Sequence, residues 1–265
     1  NYTQVLPTFT AKFEKHGFAS VFGNIESAMN HRLIEPLYDF ERVMVQRLEY
    51  GGQILVNKKN FWADGWMNWE RAQHKGDPFK EEFTVGLSML PTFARSKKQK
   101  FSFQIPAQIM ISHRGGQLDT DTTPLVTLLD VAGGISLEYS FQKIFLKSIR
   151  LENYYVYYKD LSFTKLAPFV EGDALYFNLS LKTKFATLLL SYWNGNGFYS
   201  PRGGALYQAV STKDGFTKQK NRNLVFLRLM HENEIFENVF LEIRLEPYYD
   251  LNNSLLEYSY GIYLA

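Results

Sequence analysis

The chain has 265 residues, 45% hydrophobic and 16% aromatic, and its 29 Lys and Arg against 27 Asp and Glu give a net charge of +2. This composition is expected to fold rather than remain disordered, and the balanced charge gives no reason to predict a nucleic-acid partner. The absence of cysteine excludes disulfides, thiol nucleophiles and thiolate metal sites. No run of about eighteen apolar residues is present, which excludes a transmembrane helix.

The chain begins at Asn1 without Met or an apolar leader, as expected of a processed chain or of a truncated one. We find neither an internal repeat nor a linker that would divide it. We therefore predict a single domain over residues 1–265.

Apolar and polar residues alternate with a period of two along most of the chain, which predicts β-strands with one apolar face. In chain order the predicted strands cover residues 5–14, 17–25, 46–56, 61–71, 83–89, 101–112, 130–141, 145–158, 175–182, 185–193, 224–230, 239–247 and 255–264. The clearest is FSFQIPAQIMIS, residues 101–112. Its length exceeds the five or six residues usual in soluble strands, at about twelve, and is close to what crosses a bilayer at a tilt.

The predicted connections differ in length on the two rims. Short ones fall near residues 15–17, 57–60, 93–99, 142–144, 182–184 and 232–237, and long ones near 26–44, 72–81, 114–124, 161–172 and 194–223. Outer-membrane barrels have short periplasmic turns and long extracellular loops. A β-sandwich with Greek-key crossovers is not expected to separate its connections in this way.

The pattern alone does not decide whether the apolar or the polar face of the strands points inward. In a soluble barrel or sandwich the apolar face would point inward and the polar face into water. In a membrane barrel the Leu, Ile, Val, Phe and Tyr of the apolar face would contact lipid, and the polar face would line a wet interior. We favour the membrane barrel, because a soluble barrel of this many strands would enclose more volume than one face of side chains could fill.

At this point the chain resembles Gram-negative outer-membrane β-barrel proteins as an architectural class. The resemblance rests on the strand pattern, on the unequal connections and on the tyrosine-rich end EYSYGIYLA, which departs from the usual terminal aromatic residue. It implies an all-β, transmembrane, antiparallel up-and-down β-barrel in the outer membrane of a Gram-negative bacterium, with membrane lipids as partners. We expect about twelve strands, or fourteen as the alternative, because segment 5–14 would otherwise be an odd thirteenth strand.

The charged residues of the polar face are predicted to point into the barrel. Buried charges need partners, so their balanced signs suggest ion pairs that either rigidify the interior or line a selective pore. The predicted lumen-lining residues are Arg47, Glu49, Asp64, Glu70, Asp130, Glu138, Arg150, Glu152, Lys182, Arg228, Glu242, Arg244 and Glu246.

Nothing in the sequence predicts a catalytic, cofactor or metal site. The His-x-Ser spacing of outer-membrane phospholipases is absent, and Ser112 and His113 are adjacent, so they face opposite sides of a strand. His31 is expected at the surface of the first long loop. The segment DTD at 119–121 reads as a solvated acidic loop, and the histidines have no metal-ligand spacing.

We therefore expect a porin-like channel or transporter that passes or binds small solutes, and not an enzyme. The alternative is a non-conducting barrel that is a subunit of a larger outer-membrane assembly with other outer-membrane proteins. A third hypothesis is a barrel hydrolase, whose activity would disappear when His31 or another loop histidine is replaced.

Overall fold

The alternating segments form one sheet of fourteen antiparallel strands. The computed structural model describes residues 8–26, 31–42, 48–95, 100–116, 122–142, 145–211, 217–237 and 239–264. The strands are β1 Thr10–Lys15, β2 Phe18–Asn24, β3 Tyr50–Lys58, β4 Phe61–Arg71, β5 Glu81–Arg95, β6 Phe101–Gln104, β7 Ala107–Gly115, β8 Val126–Ser140, β9 Leu146–Asp160, β10 Glu171–Thr183, β11 Thr187–Asn196, β12 Asn221–Phe236, β13 Val239–Asp250 and β14 Leu255–Leu264.

One short 3-10 helix, Ala205–Tyr207, lies in the connection between β11 and β12. Among the residues that the structure describes, no helix has the length and apolar character needed to cross a bilayer.

Strands that follow one another in sequence pair with one another in the sheet, with one local exception. Both β6 and β7 pair with β5 and with β8. They are two halves of one position in the sheet, separated at Ile105 and Pro106, where proline has no N–H to give to a ladder. The predicted continuous strand at 101–112 is therefore broken in its middle.

The expectation of twelve strands is wrong. The structure has fourteen strands, the number given as the alternative, and they occupy thirteen positions in the sheet because β6 and β7 share one. Part of the predicted first segment is β1, which pairs with β2. Between the described residues of β1 and β14 no ladder is present.

Two-residue turns tighten one rim of the sheet. His16 and Gly17 join β1 to β2, and both have positive φ, 51° and 73°, as a type I′ hairpin turn requires. Gly17 is required there, because a Cβ would lie 2.3 Å from the carbonyl oxygen of Asn57. Residues 59–60 also join β3 to β4 by a two-residue connection.

Polarity is reversed relative to a soluble protein. Along β10 the apolar Leu175, Phe177 and Leu179 are exposed, whereas Tyr176 and Asn178 between them are buried. The same alternation on the other strands buries polar residues on one face, here called the inner face: Asp64, Asn68, Thr84, Ser88, Gln108, Asp130, Ser191, Arg228, Arg244 and Glu246.

The sheet curls around residues 31–42, here called the inner segment. Gln108 on β7 holds its main chain, accepting from the N–H of Ile34 at 2.9 Å and donating to the carbonyl of Arg32 at 3.0 Å. At its other end, the Tyr263 hydroxyl of β14 donates to Glu41 at 2.9 Å. Because these contacts join strands from distant parts of the sheet order, the inner segment occupies the space that the sheet encloses.

The connection 197–211, here called the inner loop, packs beside the inner segment. The N–H of Asp39 donates to the carbonyl of Arg202 at 2.8 Å, and the N–H of Gly204 donates to the carbonyl of Glu35 at 2.9 Å. The main apolar core forms where this loop meets β8–β12 and includes Leu37, Leu128, Ala132, Tyr154, Val156, Tyr158, Ala174, Tyr176, Trp193, Phe198, Tyr207, Leu224 and Phe226. Side chains therefore fill this part of the interior.

Gly86 provides space for a buried indole. It is opposite Trp66 on β4 and Met110 on β7, and a Cβ at Gly86 would lie 2.4 Å from Cε2 of Trp66. The indole has little freedom to move, because it is buried in a cluster with Tyr38, Leu33 and Met110.

We expect Gly86→Ala to lower the free energy of unfolding by about 1–3 kcal/mol, the usual cost of overpacking a well-packed interior. Gly133→Ala in β8 is the matched control, because no atom lies within 4 Å of a Cβ at that position. Thermal or denaturant unfolding of the purified variants measures both. Equal stability of the two variants would contradict the packing described here.

Candidate functional site

His31 is held between two carboxylates inside the sheet. Its Nδ1 lies 2.8 Å from Oδ2 of Asp64 on β4, and its Nε2 lies 2.7 Å from Oε2 of Glu49, which precedes β3. All three side chains are buried: His31 is 1% exposed, Asp64 2% and Glu49 3%. An ionised carboxylate can only accept, so when both acids are ionised both ring nitrogens donate and the ring is an imidazolium.

The remaining carboxylate oxygens of this centre also have donors. The Tyr38 hydroxyl donates to Oε1 of Glu49, and Nε2 of Gln53 donates to Oδ1 of Asp64 at 2.9 Å. Gln53 is itself fixed by Glu26, whose N–H and carbonyl both bond its side-chain amide at 2.9 Å. The carboxylates are therefore fixed in direction before any substrate arrives.

Aromatic rings close off the imidazolium. The Trp66 indole stacks on it with ring centroids 4.1 Å apart and planes 17° apart. Tyr38 meets the indole edge-on at 5.7 Å. A cation on an indole face gains from the ring quadrupole, so the stacked Trp66 ring favours the charged form of His31.

The backbone at His31 is strained. His31 and Arg32 have φ of 52° and 54°, a left-handed conformation that costs a non-glycine residue roughly 1–2 kcal/mol. Such strain persists where surrounding contacts fix the chain, and it concentrates at functional sites. Here the fixing contacts are the two carboxylates and the bonds from Gln108.

The surroundings of His31 favour its charged form. Burial on its own lowers the pKa of His31, but the hydrogen bonds to Asp64 and Glu49 outweigh burial and raise the pKa above the usual 6.5. The centre therefore keeps its proton to a higher pH than an ordinary histidine does, and a buried proton flanked by fixed carboxylates suits acid–base chemistry.

A second charged group fixes the inner segment to the opposite wall. Arg228 on β12 donates to Glu246 at 2.6 Å and also to Glu35 of the inner segment. Arg244 on β13 donates to the other Glu246 oxygen at 2.6 Å, and Tyr207 donates to Glu35 at 2.9 Å. The two cations and two anions balance, so this group is a structural anchor.

The predicted lumen-lining residues divide into several groups. Glu49 and Asp64 meet at His31, and Arg228, Arg244 and Glu246 meet at Glu35. Arg150 pairs with Glu138 at 2.8 Å and lies 3.9 Å from Glu152. The structure does not bring these groups together into one site.

The other predicted residues lie apart from both charged groups. Glu70 pairs with Arg202 of the inner loop, and the fully buried Asp130 bonds the Ser200 hydroxyl at 3.0 Å. Lys182 is exposed near the end of β10, and Glu242 is half-buried on β13. Arg47 lies outside the described residues, as does the segment 119–121.

The expectation that His31 lies at the surface is wrong, because the sequence does not reveal that its loop folds inward. His31 is the one histidine in the described part of the chain whose ring bonds carboxylates. Its partners Tyr38 and Gln53, and the anchor Glu35, were also missed. The sequence signal was the uncommon segment HRLIEPLYDFER, to which no mechanism could be assigned without its partners.

No group of residues suited to a metal ion is present among the described residues.

The chain matches the model of a known family. A family model described as lipid A 3'-O-deacylase-type matches residues 1–265, the whole chain. No curated protein and no solved structure matches the chain.

This match overturns the functional expectations drawn from the sequence. The porin-like channel, the non-conducting assembly subunit and the exclusion of an enzyme are wrong, because the matching family is one of hydrolases. The hydrolase, the third hypothesis above, fits better. The error has a physical cause: a polar inner face is common to pores and to barrel enzymes, and the contacts that distinguish them lie far apart in sequence.

We expect the stabilising contribution of His31 to depend on pH. Because its pKa is raised on folding, the contribution is fully present below the unfolded pKa of about 6.5 and is lost as pH rises through the folded pKa. The difference in melting temperature between the native chain and His31→Gln should therefore decrease as pH rises above neutrality. A difference that stays constant with pH would contradict an imidazolium at this position.

Proposed function

The chain belongs to the lipid A 3'-O-deacylase-type family, and from that membership we propose that it is an outer-membrane hydrolase. Its substrate is lipid A or a glycolipid of the same kind, from which it removes an ester-linked acyl chain. The observation that carries the proposal is the buried His31 between Asp64 and Glu49, which supplies the acid–base group that ester hydrolysis needs.

The outward face of the sheet supports a membrane location. Large apolar side chains are exposed along many strands, among them Ile54, Ile135 and Leu190, and on the last strand Leu256 and Ile262. Exposed apolar surface of this extent marks an interaction site rather than a water-facing surface. Lipid is the partner that fits, since strands that alternate apolar-out and polar-in are typical of outer-membrane barrels. We therefore place the chain in the outer membrane of a Gram-negative bacterium as a transmembrane β-barrel.

In the proposed reaction His31 moves a proton between water and the leaving alcohol. Neutral His31 accepts a proton from water, whose oxygen attacks the acyl carbonyl carbon. The ester C–O bond then breaks, the imidazolium returns the proton to the sugar oxygen, and a free fatty acid is released. Asp64 fixes the Nδ1–H tautomer throughout, which leaves Nε2 as the reacting nitrogen.

Glu49 determines when Nε2 is available. In this structure Nε2 bonds Glu49, so that nitrogen is not free to take a proton from water. Glu49 has to turn away, or take the Nε2 proton itself, before His31 can act as a base. Water is the proposed nucleophile, because no Ser or Thr hydroxyl in the described ranges bonds His31.

The proposal predicts that His31→Gln loses lipid A deacylation by about 100-fold or more, within the usual range for removal of an acid–base group. Asp64→Asn should also lower the rate of deacylation, because His31 would no longer be held in its Nδ1–H tautomer. Mass spectrometry of lipid A, incubated with each purified variant in detergent, would measure the loss of one acyl chain. Melting temperatures would show which variants remain folded.

His231→Gln is the matched control. His231 is exposed on β12, and its ring bonds only the carbonyl of Phe185 among the described residues. Its replacement should leave the rate unchanged. A folded His31→Gln variant with the native rate would reject His31 as the acid–base residue, and a native chain that releases no fatty acid would reject the function.

A further inference from the structure

A cavity of two connected lobes, here called the short-rim cavity, lies on the inner face beside Arg32 and the turn 59–60. The smaller lobe has a volume of about 400 Å³ and the larger about 610 Å³. The lobes share the lining residues Arg32, Trp62, Leu90 and Gln104. Small-molecule sites have volumes in this range, and neither lobe includes His31, Glu49 or Asp64.

Hydrogen-bond donors and positive charge dominate the smaller lobe. Its lining contains Arg32, Lys58 and Lys59, the amides of Asn57 and Gln104, and no carboxylate. Three cations without an acid in a concave site favour an anion, because their positive potentials add there.

Arg32 is placed by the backbone to serve this lobe. Its left-handed φ of 54° and the bond from Gln108 to its carbonyl fix the start of its side chain. The guanidinium lies over the Trp62 indole, 4.2 Å from the ring centroid. Stacking of this kind occupies a face of the guanidinium and leaves the N–H groups at its edge able to bind an anion.

The larger lobe has a different charge pattern. Arg150 pairs with Glu138 at 2.8 Å, and the Tyr154 hydroxyl donates to Glu152 at 2.6 Å. The acids are thus largely satisfied, and the lobe presents a polar, nearly neutral wall suited to an uncharged or cationic group.

We propose that the short-rim cavity binds a small phosphate ester, with its phosphate among Arg32, Lys58 and Lys59 and its polar remainder in the larger lobe. The phosphate could come from a phospholipid headgroup at the short-turn rim or from a soluble ester. This site is separate from the hydrolytic centre and does not depend on the proposed function.

The test is calorimetric titration of the purified full-length chain, in a maltoside detergent and phosphate-free buffer. The probes are glycerol 3-phosphate, short-chain phosphatidylglycerol below its micelle concentration, and glycerol. We expect a phosphate probe to bind and glycerol not to bind. Binding of glycerol 3-phosphate would identify a soluble ester as sufficient, whereas binding of phosphatidylglycerol alone would identify a lipid headgroup. Binding of neither probe would overturn the proposal.

Charge variants locate the bound phosphate. Lys58→Gln combined with Lys59→Gln should weaken binding by about tenfold, or about 1.4 kcal/mol. Lys58 also bonds the carbonyl of His16, so Lys59→Glu is a second variant, because Lys59 makes no hydrogen bond or ion pair within the described chain. It should weaken binding at least as much.

The matched control is Lys182→Gln combined with Lys184→Gln, which removes two exposed lysines at another short connection. This control should bind as the native chain does, and deacylation should be unchanged in all of these variants. Equal weakening in the control, or native affinity in the Lys58 and Lys59 variants, would overturn the site.

Discussion

The outward apolar face is the constraint on which the rest of this structure depends. When Leu, Ile and Phe cover the outside, the charged residues of the same strands must point inward, where each needs a partner. The sheet alone does not supply all of these partners. The inner segment supplies them, since His31 meets two carboxylates of one wall and Glu35 meets two arginines of the opposite wall. Breaking either contact would leave buried charges uncompensated, which explains why the segment is held in one position.

The same contacts give the centre its chemical character. Two carboxylates, a phenol and an amide fix the imidazolium before a substrate is present, which lowers the cost of reorganisation during reaction. The strained backbone at His31 and Arg32 sends their two side chains to different places. It directs the imidazole toward the carboxylates and the guanidinium of Arg32 into the short-rim cavity.

The sequence predicts the strands of the sheet better than the inner segment that the sheet surrounds. Alternation with a period of two shows where strands form and which residues share a face, because both are local properties. The path of the inner segment is not local: Glu35 and its partner Arg244 are 209 residues apart, and HRLIEPLYDFER has neither strand nor helix periodicity. The acid–base centre was missed for the same reason, since the partners of His31 come from β4 and from the residue that precedes β3, and not from a neighbouring motif. Pro106 could have predicted the break between β6 and β7, because proline is rarely tolerated inside a central strand.

The most direct test of the central claim, that the apolar face contacts lipid and the charged face encloses the inner segment, is cell fractionation followed by gel migration of the detergent-extracted chain, with and without boiling. We predict recovery in the outer-membrane fraction and a heat-dependent shift in migration, because outer-membrane β-barrels as a class resist the detergent until they are boiled. Recovery in the soluble fraction without a shift would contradict the account, because the apolar side chains of Leu175, Phe177 and Leu179 would then have no lipid to contact.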